Sequence, residues 1–391
     1  MNWTQDKGSD VTLSAATTKT DVNGQATVTL KSTTKAVDNI TVSAQYEDTA
    51  KVAADKTVSF IYELSSAKVG TVKLDGDVVQ KIADGTSFFT YTAQVVDGNG
   101  NPVRKADLVV NWTQDKGSDV TLSAATTKTD VNGQATVTLK STTKAVDNIT
   151  VSAQYEDTAK VAADKTVSFI YELSSAKVGT VTLDDAVIEK VADGVNTFTY
   201  TAQLVDGNGN PVRQAGLDVK WTQDKGNDVV LSSATSQTNA DGKATITLKS
   251  TTKAVDNITV SAQYESTAAV AANKVVSFIA DENSATISAY LLDNGKMLTP
   301  ADGTTNYKIS ILVKDRYGNA LKNYSVTVTS LLLTEPRILS TDINGEVTTE
   351  ISSLIAGSSD VLITSTANLE IKTNVTLKYS IAKLNIVSPY L

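Results

Sequence analysis

Residues 2–72 and 111–181 are identical, and this duplication constrains the fold more than any other feature of the chain. Its marker is Asn111-Trp112-Thr113-Gln114-Asp115-Lys116-Gly117, which also stands at 2–8 and, with Lys220 in place of the asparagine, runs again to Gly226. Trp3, Trp112 and Trp221 are each 109 residues apart. Solenoid and propeller units run about 20–50 residues. A period this long is a whole domain that buries its own core. At about 100–150 residues per domain, 391 residues hold three to four.

Composition excludes more than it assigns. Apolar residues make up 41% and charged residues 20%, a globular balance. The chain has no Cys and no His. That removes disulfides, thiol nucleophiles, most zinc sites and the usual general base at neutral pH. The net charge is −8 and the lysines are scattered singly, so nothing marks a nucleic-acid footprint. No apolar run reaches the roughly 18–20 residues of a membrane helix. Met1–Lys7 has neither the basic nor the apolar region of a signal peptide.

The second unit shows the strand pattern most fully. Lys68–Leu74 alternates and reads as its first strand. In Ser87–Val96, Phe89, Tyr91, Ala93 and Val95 share one face, with Thr90, Thr92 and Gln94 on the other. Asp97-Gly98-Asn99-Gly100-Asn101-Pro102 is a dense turn signal. Leu108, Val110 and Trp112 form the next inward face, Val120–Ser123 a short strand, and Asp130-Val131-Asn132-Gly133 a hairpin-type turn. Ala135, Val137 and Leu139 face inward, then Ile149, Val151 and Ala153, and finally Val167, Phe169 and Tyr171. About seven strands and one core Trp, with no helical periodicity, predict an all-β, immunoglobulin-like two-sheet sandwich. With no inter-sheet disulfide, packing around Trp112, Tyr91 and Phe169 must hold the sheets. Trp221, Tyr200 and Phe278 are expected to do the same in the third unit.

The predicted domains are a partial one at 1–63, lacking its first strands, complete ones at 64–172 and 173–280, and a divergent one at 281–391. In the last, Tyr307, Ile309, Ile311 and Val313 keep the alternating face and Asp315-Arg316-Tyr317-Gly318-Asn319-Ala320 replaces the turn. Ser330 stands where Trp would be, so Leu331, Leu332, Leu333 and Ile338 are expected to supply the lost core volume. Both ends look cut, and Ser380–Val387 resembles the opening of a further unit. The expectation is a fragment of a longer array.

Chemistry-bearing patterns are sparse. Ser65-Ser66-Ala67-Lys68 and Ser174-Ser175-Ala176-Lys177 match Ser-x-x-Lys but sit between strands, as linkers. Asp97-x-Asn99-x-Asn101 begins like a calcium loop, yet Pro102 and Leu108 occupy the positions where an EF-hand needs Gly and Glu. It reads as a turn, with a calcium clamp at a domain junction as the alternative, and the same holds for Asp206–Asn210. Asp184-Asp185 is read as adjacent acids on a strand, which point to opposite faces and cannot flank one bond. No catalytic, cofactor-binding or metal residue is assigned, and the chain is read as non-enzymatic.

The series Ala192-Asp193-Gly194, Tyr200 through Val212, Trp221, Asn239 through Leu248 and Ile258 through Ala262 resembles the bacterial Ig-like domain, group 1. That domain is repeated in the intimin and invasin type outer-membrane adhesins of Gram-negative bacteria, the inverse autotransporters. The resemblance covers units two and three, half of unit one, and unit four more loosely through Ala301-Asp302-Gly303, Asp315–Ala320 and Thr341–Gly345. It implies an elongated, monomeric rod on the extracellular side of the outer membrane, spacing a distal adhesive tip from the cell. Attachment would run through an N-terminal membrane β-barrel that these residues do not include. The partner would be a host-cell or bacterial surface receptor, protein or glycan. The family's Cys-bridged lectin-like tip has no counterpart here, so its receptor-binding residues do not carry over. The alternative is that 281–391 is itself a protein- or glycan-binding module, with Arg316, Tyr317, Tyr324, Leu332 and Arg337 as anchors, since Tyr and Arg are common in that role.

Overall fold

The computed structural model describes residues 1–292 and 298–381. The chain forms two bodies. One holds Met1–Ser175 with Asp206–Asn210, the other Ala176–Val205 with the described residues from Pro211 on. The second, third and fourth repeats are β-sandwiches, and residues 1–63 hold the strands of part of one.

In the second repeat one sheet runs in the order Val120–Leu122, Gln134–Ser141, Phe88–Val96, Lys68–Leu74. The facing strands run Thr126–Lys128, Val109–Gln114, Val151–Tyr155, Val161–Ala162. A third, short sheet joins Val146–Ile149, Val167–Ile170 and Gln80–Ile82, the last pair parallel. The period-two pattern of Phe88–Val96 puts Phe89, Tyr91, Ala93 and Val95 in the core. Phe89 meets Phe169 with ring centroids 5.1 Å apart. Burying each ring contributes about 2–3 kcal/mol and their tilted contact about 0.5–1.5 kcal/mol more. Gly133 closes the hairpin at φ 76°, where an added Cβ would lie 1.9 Å from the Val103 carbonyl oxygen, so no other residue fits.

The repeat has eleven strands rather than about seven: the short Gln80–Ile82, Thr126–Lys128 and Val161–Ala162 add three, and a break at Asn148 divides one more in two. Ile149, Val151 and Ala153 are all buried, yet they do not share one strand. Asn148 takes φ 53°, a left-handed conformation that asparagine tolerates. Its N–H donates to Ser168 Oγ (3.1 Å), and Thr150 N–H donates to Asp115 Oδ1 (2.9 Å). The backbone therefore leaves one sheet at Ile149 and enters the other at Val151.

The fourth repeat lacks this break. Gly357–Ser365 is continuous and pairs with both Ser325–Ser330 and Lys372–Ser380. One five-stranded sheet results, ordered Thr299–Pro300, Lys372–Ser380, Gly357–Ser365, Ser325–Ser330, Arg337–Ser340. Tyr307 and Tyr379 replace the phenylalanine pair, edge to face at 5.1 Å. The expected substitutes for tryptophan are only half right. Leu332 and Leu333 are half-buried against the core, but Leu331 is 99% and Ile338 72% exposed. Leu331 lies past the end of its strand. Ile338 pairs with Thr327 on the outer face, opposite the buried Val326 and Val328. Ser330 does not hold the tryptophan position: Tyr324 N–H donates to Thr341 Oγ1 as Leu108 N–H does to Thr129 Oγ1, so Val328, four residues on, stands where Trp112 does. Part of the volume is supplied across the sheet, where Trp112 pairs with Ala153 but Val328 pairs with the larger, buried Ile363. Ser380 ends the closing strand, and the suggested further unit at 382–387 lies outside the described residues.

Candidate functional site

The turn after the long central strand is built around one carboxylate. Asp97 is 2% exposed. Its Oδ1 accepts from the N–H groups of Asn99 and Asn101, both at 2.9 Å. Its Oδ2 accepts from Glu63 N–H (3.2 Å) and Asn101 Nδ2 (2.8 Å). Ser66 Oγ in the linker accepts from Gly98 N–H at 2.9 Å. Ser66, inside the Ser-x-x-Lys stretch, thus closes a turn, while Ser65, the serine at the motif's first position, donates to Glu63 Oε1 at 3.1 Å. With four N–H donors aimed at it, Asp97 is an anion held by amides, and a cation would have to displace them. No group of three His, Cys, Asp or Glu side chains suited to a metal occurs among the described residues.

This turn fixes the Asn101 amide so that it reaches into the first repeat. Asn101 Nδ2 donates to the Thr34 carbonyl (2.8 Å) and its Oδ1 accepts from Ala36 N–H (2.9 Å). Arg104 pairs with Asp38 alongside, and Tyr62 Oη donates to the Arg104 carbonyl at 3.2 Å. The second body repeats the device. Asp315 accepts from Tyr317 N–H, Asn319 N–H, Asn319 Nδ2 and Asp281 N–H. Asn319 Nδ2 donates to the Thr252 carbonyl and Oδ1 accepts from Ala254 N–H, both at 2.8 Å, with Lys322–Asp256 at 2.9 Å beside them. Within the first body, Asn210 makes the same pair to Thr143 and Ala145. Each amide bond contributes about 0.5–1.5 kcal/mol. The flanking ion pairs are about half exposed and add about 0–1 kcal/mol. The amide is the stronger part of the latch.

Electrostatics support the reading. Burial pushes the Asp97 and Asp206 carboxyls up, but hydrogen bonds from the side chains and backbones of Asn101 and Asn210, helped by Glu63 and Glu172, outweigh it and hold both below the usual range.

The residues singled out from sequence separate into two groups. Trp112, Trp221, Tyr91, Tyr200, Phe169 and Phe278 lie in cores at 0–3% exposure. Trp112 Nε1 donates to Thr127 Oγ1 and Trp221 Nε1 to Ser236 Oγ. The candidate anchors form no single surface. Tyr324 is 5% exposed and its hydroxyl bonds Ser365 Oγ at 2.6 Å, so it is a core residue and offers no anchor. Leu332 packs against the same core. Arg337 Nη1 is engaged by the Glu350 carbonyl and Thr349 Oγ1. Arg316 lies over the half-exposed Tyr317 ring (4.8 Å), on the latch turn. Asp184 and Asp185 follow the strand Lys177–Leu183 rather than lying on it. Asp185 is taken up by Lys190 and Thr199 N–H, and Asp184 by Thr201 Oγ1. The latch asparagines were missed. Their signal was the Asp-x-x-x-Asn spacing at 97/101, 206/210 and 315/319, kept in the fourth repeat where Trp is lost.

The family model for the bacterial Ig-like domain (group 1) matches residues 71–170, 180–289 and 292–378. The chain belongs to this family. Among curated relatives, the inverse autotransporter adhesin YeeJ of Escherichia coli K12 is 29% identical over 309 residues, covering 79% of this chain and 12% of YeeJ. Intimin of Escherichia coli O127:H6 is 32% identical over 240 residues, covering 61% of this chain and 23% of intimin. This chain therefore spans under a quarter of the length of these relatives. A solved structure of the D0-D1 domain of intimin is 32% identical and covers 54% of this chain and 99% of that one, with a TM-score of 0.24.

Proposed function

We propose that this stretch is a stalk segment of an outer-membrane adhesin, spacing a distal adhesive tip from the cell surface. The observation that carries the reading is the amide latch, rebuilt at Asn101, Asn210 and Asn319 with the same two backbone partners each time. A spacer needs length and resistance to bending, not distinct chemistries. Near-identical domains give the length, and a latch fixed by a buried carboxylate restrains the hinge. The homology to YeeJ and intimin supports display on the extracellular face, with a host-cell or bacterial receptor as the partner of the whole adhesin. The reading is non-enzymatic.

Small-angle scattering tests it. Strands of about ten residues at ~3.3 Å make units of about 35–40 Å, so the chain should reach a maximum dimension on the order of 120–150 Å. Asn101→Ala with Asn319→Ala should broaden that distribution without unfolding any domain. A compact particle, or a profile unmoved by the double variant, would count against a latched stalk. The fourth repeat as a receptor-binding module is the second reading. The exposed Arg316–Tyr317 pair favours it, and equal cell binding by the full chain and a 1–280 truncation would remove it.

A further inference from the structure

We propose that the first strand of the fourth repeat, Thr286–Leu291, is a docking edge to which an extended peptide of a protein partner adds as a further strand, with an Asp or Asn side chain closing the contact. The inference goes beyond the stalk reading and uses neither Arg316 nor Tyr317. It rests on what holds the same edge in the sibling repeats. Leu291 pairs with Ile309 as Leu74 pairs with Tyr91, so Ala289 stands where Val72 does. In the second repeat the chain itself takes the outer side of that strand. Asp164 N–H donates to the Val72 carbonyl and Leu74 N–H donates to Asp164 Oδ1, both at 3.0 Å. In the third, Asn273 bonds Val181 and Leu183 in the same way, at 2.9 and 3.0 Å.

A bare sheet edge recruits other chains, and bulges, lysines and covering segments prevent it. The second and third repeats use all three. Gly70 and Gly179 are skipped in the register, Lys68, Lys73 and Lys177 lie on the strands, and Asp164 or Asn273 straps the edge. The fourth repeat has none of them. Thr286–Leu291 pairs with 309–314 without a skipped residue and carries no charge. The strap is lost because Lys372–Ser380 runs straight on. Thr373 pairs with Ile363 as Val161 pairs with Ala153, so Thr376 stands where Asp164 does, yet it stays in its own sheet, paired with Asp360. Among the described residues no hydrogen bond reaches the Ala289 carbonyl or the Leu291 N–H. Ile287, Ala289 and Leu291 are half-buried where Val69, Val72 and Leu74 are buried. An added strand therefore finds outward backbone groups and apolar side chains left to cover. The straps give its chemistry: a small apolar residue followed by Asp or Asn, as in Ala163-Asp164 and Ala272-Asn273.

Amide exchange of the full chain, followed by NMR, tests this with a capped synthetic peptide of residues 160–166, Lys-Val-Ala-Ala-Asp-Lys-Thr. Leu291 N–H should exchange freely in the chain alone and slow saturably as peptide is added. Asp164→Ala in the peptide should weaken that binding about two- to tenfold, the loss of one hydrogen bond. Asp164→Asn should keep it, as Asn273 does in the third repeat. No slowing at Leu291 up to the solubility limit of the peptide overturns the proposal, as does equal binding by the Asp164→Ala peptide. A Leu291 N–H already protected before peptide is added overturns it too, because the chain would then cover its own edge. Protection that grows with protein concentration alone overturns it in favour of a second copy.

Discussion

The first and second repeats carry one sequence in two environments. Residues 1–63 contain no counterpart of Lys68–Val96, the strands that cover the second repeat's sheet. Gln134–Ser141 is an eight-residue strand with Ala135, Val137 and Leu139 buried. The same residues at 25–32 form a strand only over Leu30–Ser32, and Ala26, Val28 and Leu30 are half-buried. Val58 is 50% exposed where Val167 is 1%, and Tyr46 is 55% exposed where Tyr155 is 8%. Other features do not change. Asp21 Oδ1 accepts from Asn23 and Gln25 N–H as Asp130 does from Asn132 and Gln134. Trp3 Nε1 donates to Thr18 as Trp112 does to Thr127. Turns and side-chain clips are local and survive alone. A central strand is a property of its neighbours, as the context dependence of β-propensity requires.

The largest effect should come from supplying what is missing. Fusing a second copy of residues 64–110 ahead of residue 2 should convert the first repeat into a full sandwich. Its calorimetric unfolding enthalpy should then rise by more than the added residues alone account for at ~0.7 kcal/mol per residue. Next is one substitution made twice. Trp112→Ala should cost about 3–5 kcal/mol in denaturant titration. Trp3→Ala, at a half-buried position of identical local sequence, should cost less than half as much.

Acid should act more gradually. Asp97, Asp130 and Asp206 are held below their usual range. A carboxyl depressed in the folded state stabilises above its unfolded value of about 3.9 and loses that contribution as pH falls through the folded value. With no histidine in the chain, thermal stability should stay flat from about pH 5 to 8 and fall below about pH 4.

The smallest effect concerns two hydroxyls. Among the described residues, Tyr91 Oη and Tyr200 Oη are buried without a hydrogen-bond partner. Burial, then the charges of Asp164 and Asp185, push their ionisation up. Tyr91→Phe should be neutral or stabilising by up to about 1 kcal/mol, whereas Tyr324→Phe, which abandons Ser365, should cost about 1 kcal/mol.

Much of the fold was legible because its signals are short-range. The alternation of Phe89, Tyr91, Ala93 and Val95 set the buried face, and each tryptophan marked a core. What escaped depended on distant partners. The sheet switch at Asn148 needs Ser168 and Asp115 to hold it. The role of Asn101 is written in backbone groups of another repeat, at Thr34 and Ala36. Leu331 and Ile338 looked like core because apolar type alone does not tell which side of a strand, or how far past its end, a residue falls. Val328, not Ser330, takes the tryptophan position and is balanced by Ile363, a pairing that only the register reveals.

Hydrogen exchange read by mass spectrometry can compare the twin segments within a single molecule. Peptides spanning Gln25–Ser32 and Gln134–Ser141 have the same sequence, so both contribute to one peptide mass. If the cover strands decide the outcome, that peptide should show two envelopes of equal area, one exchanged within seconds and one protected for hours. A single envelope at every time point would mean that the segment behaves alike with and without its partner strands.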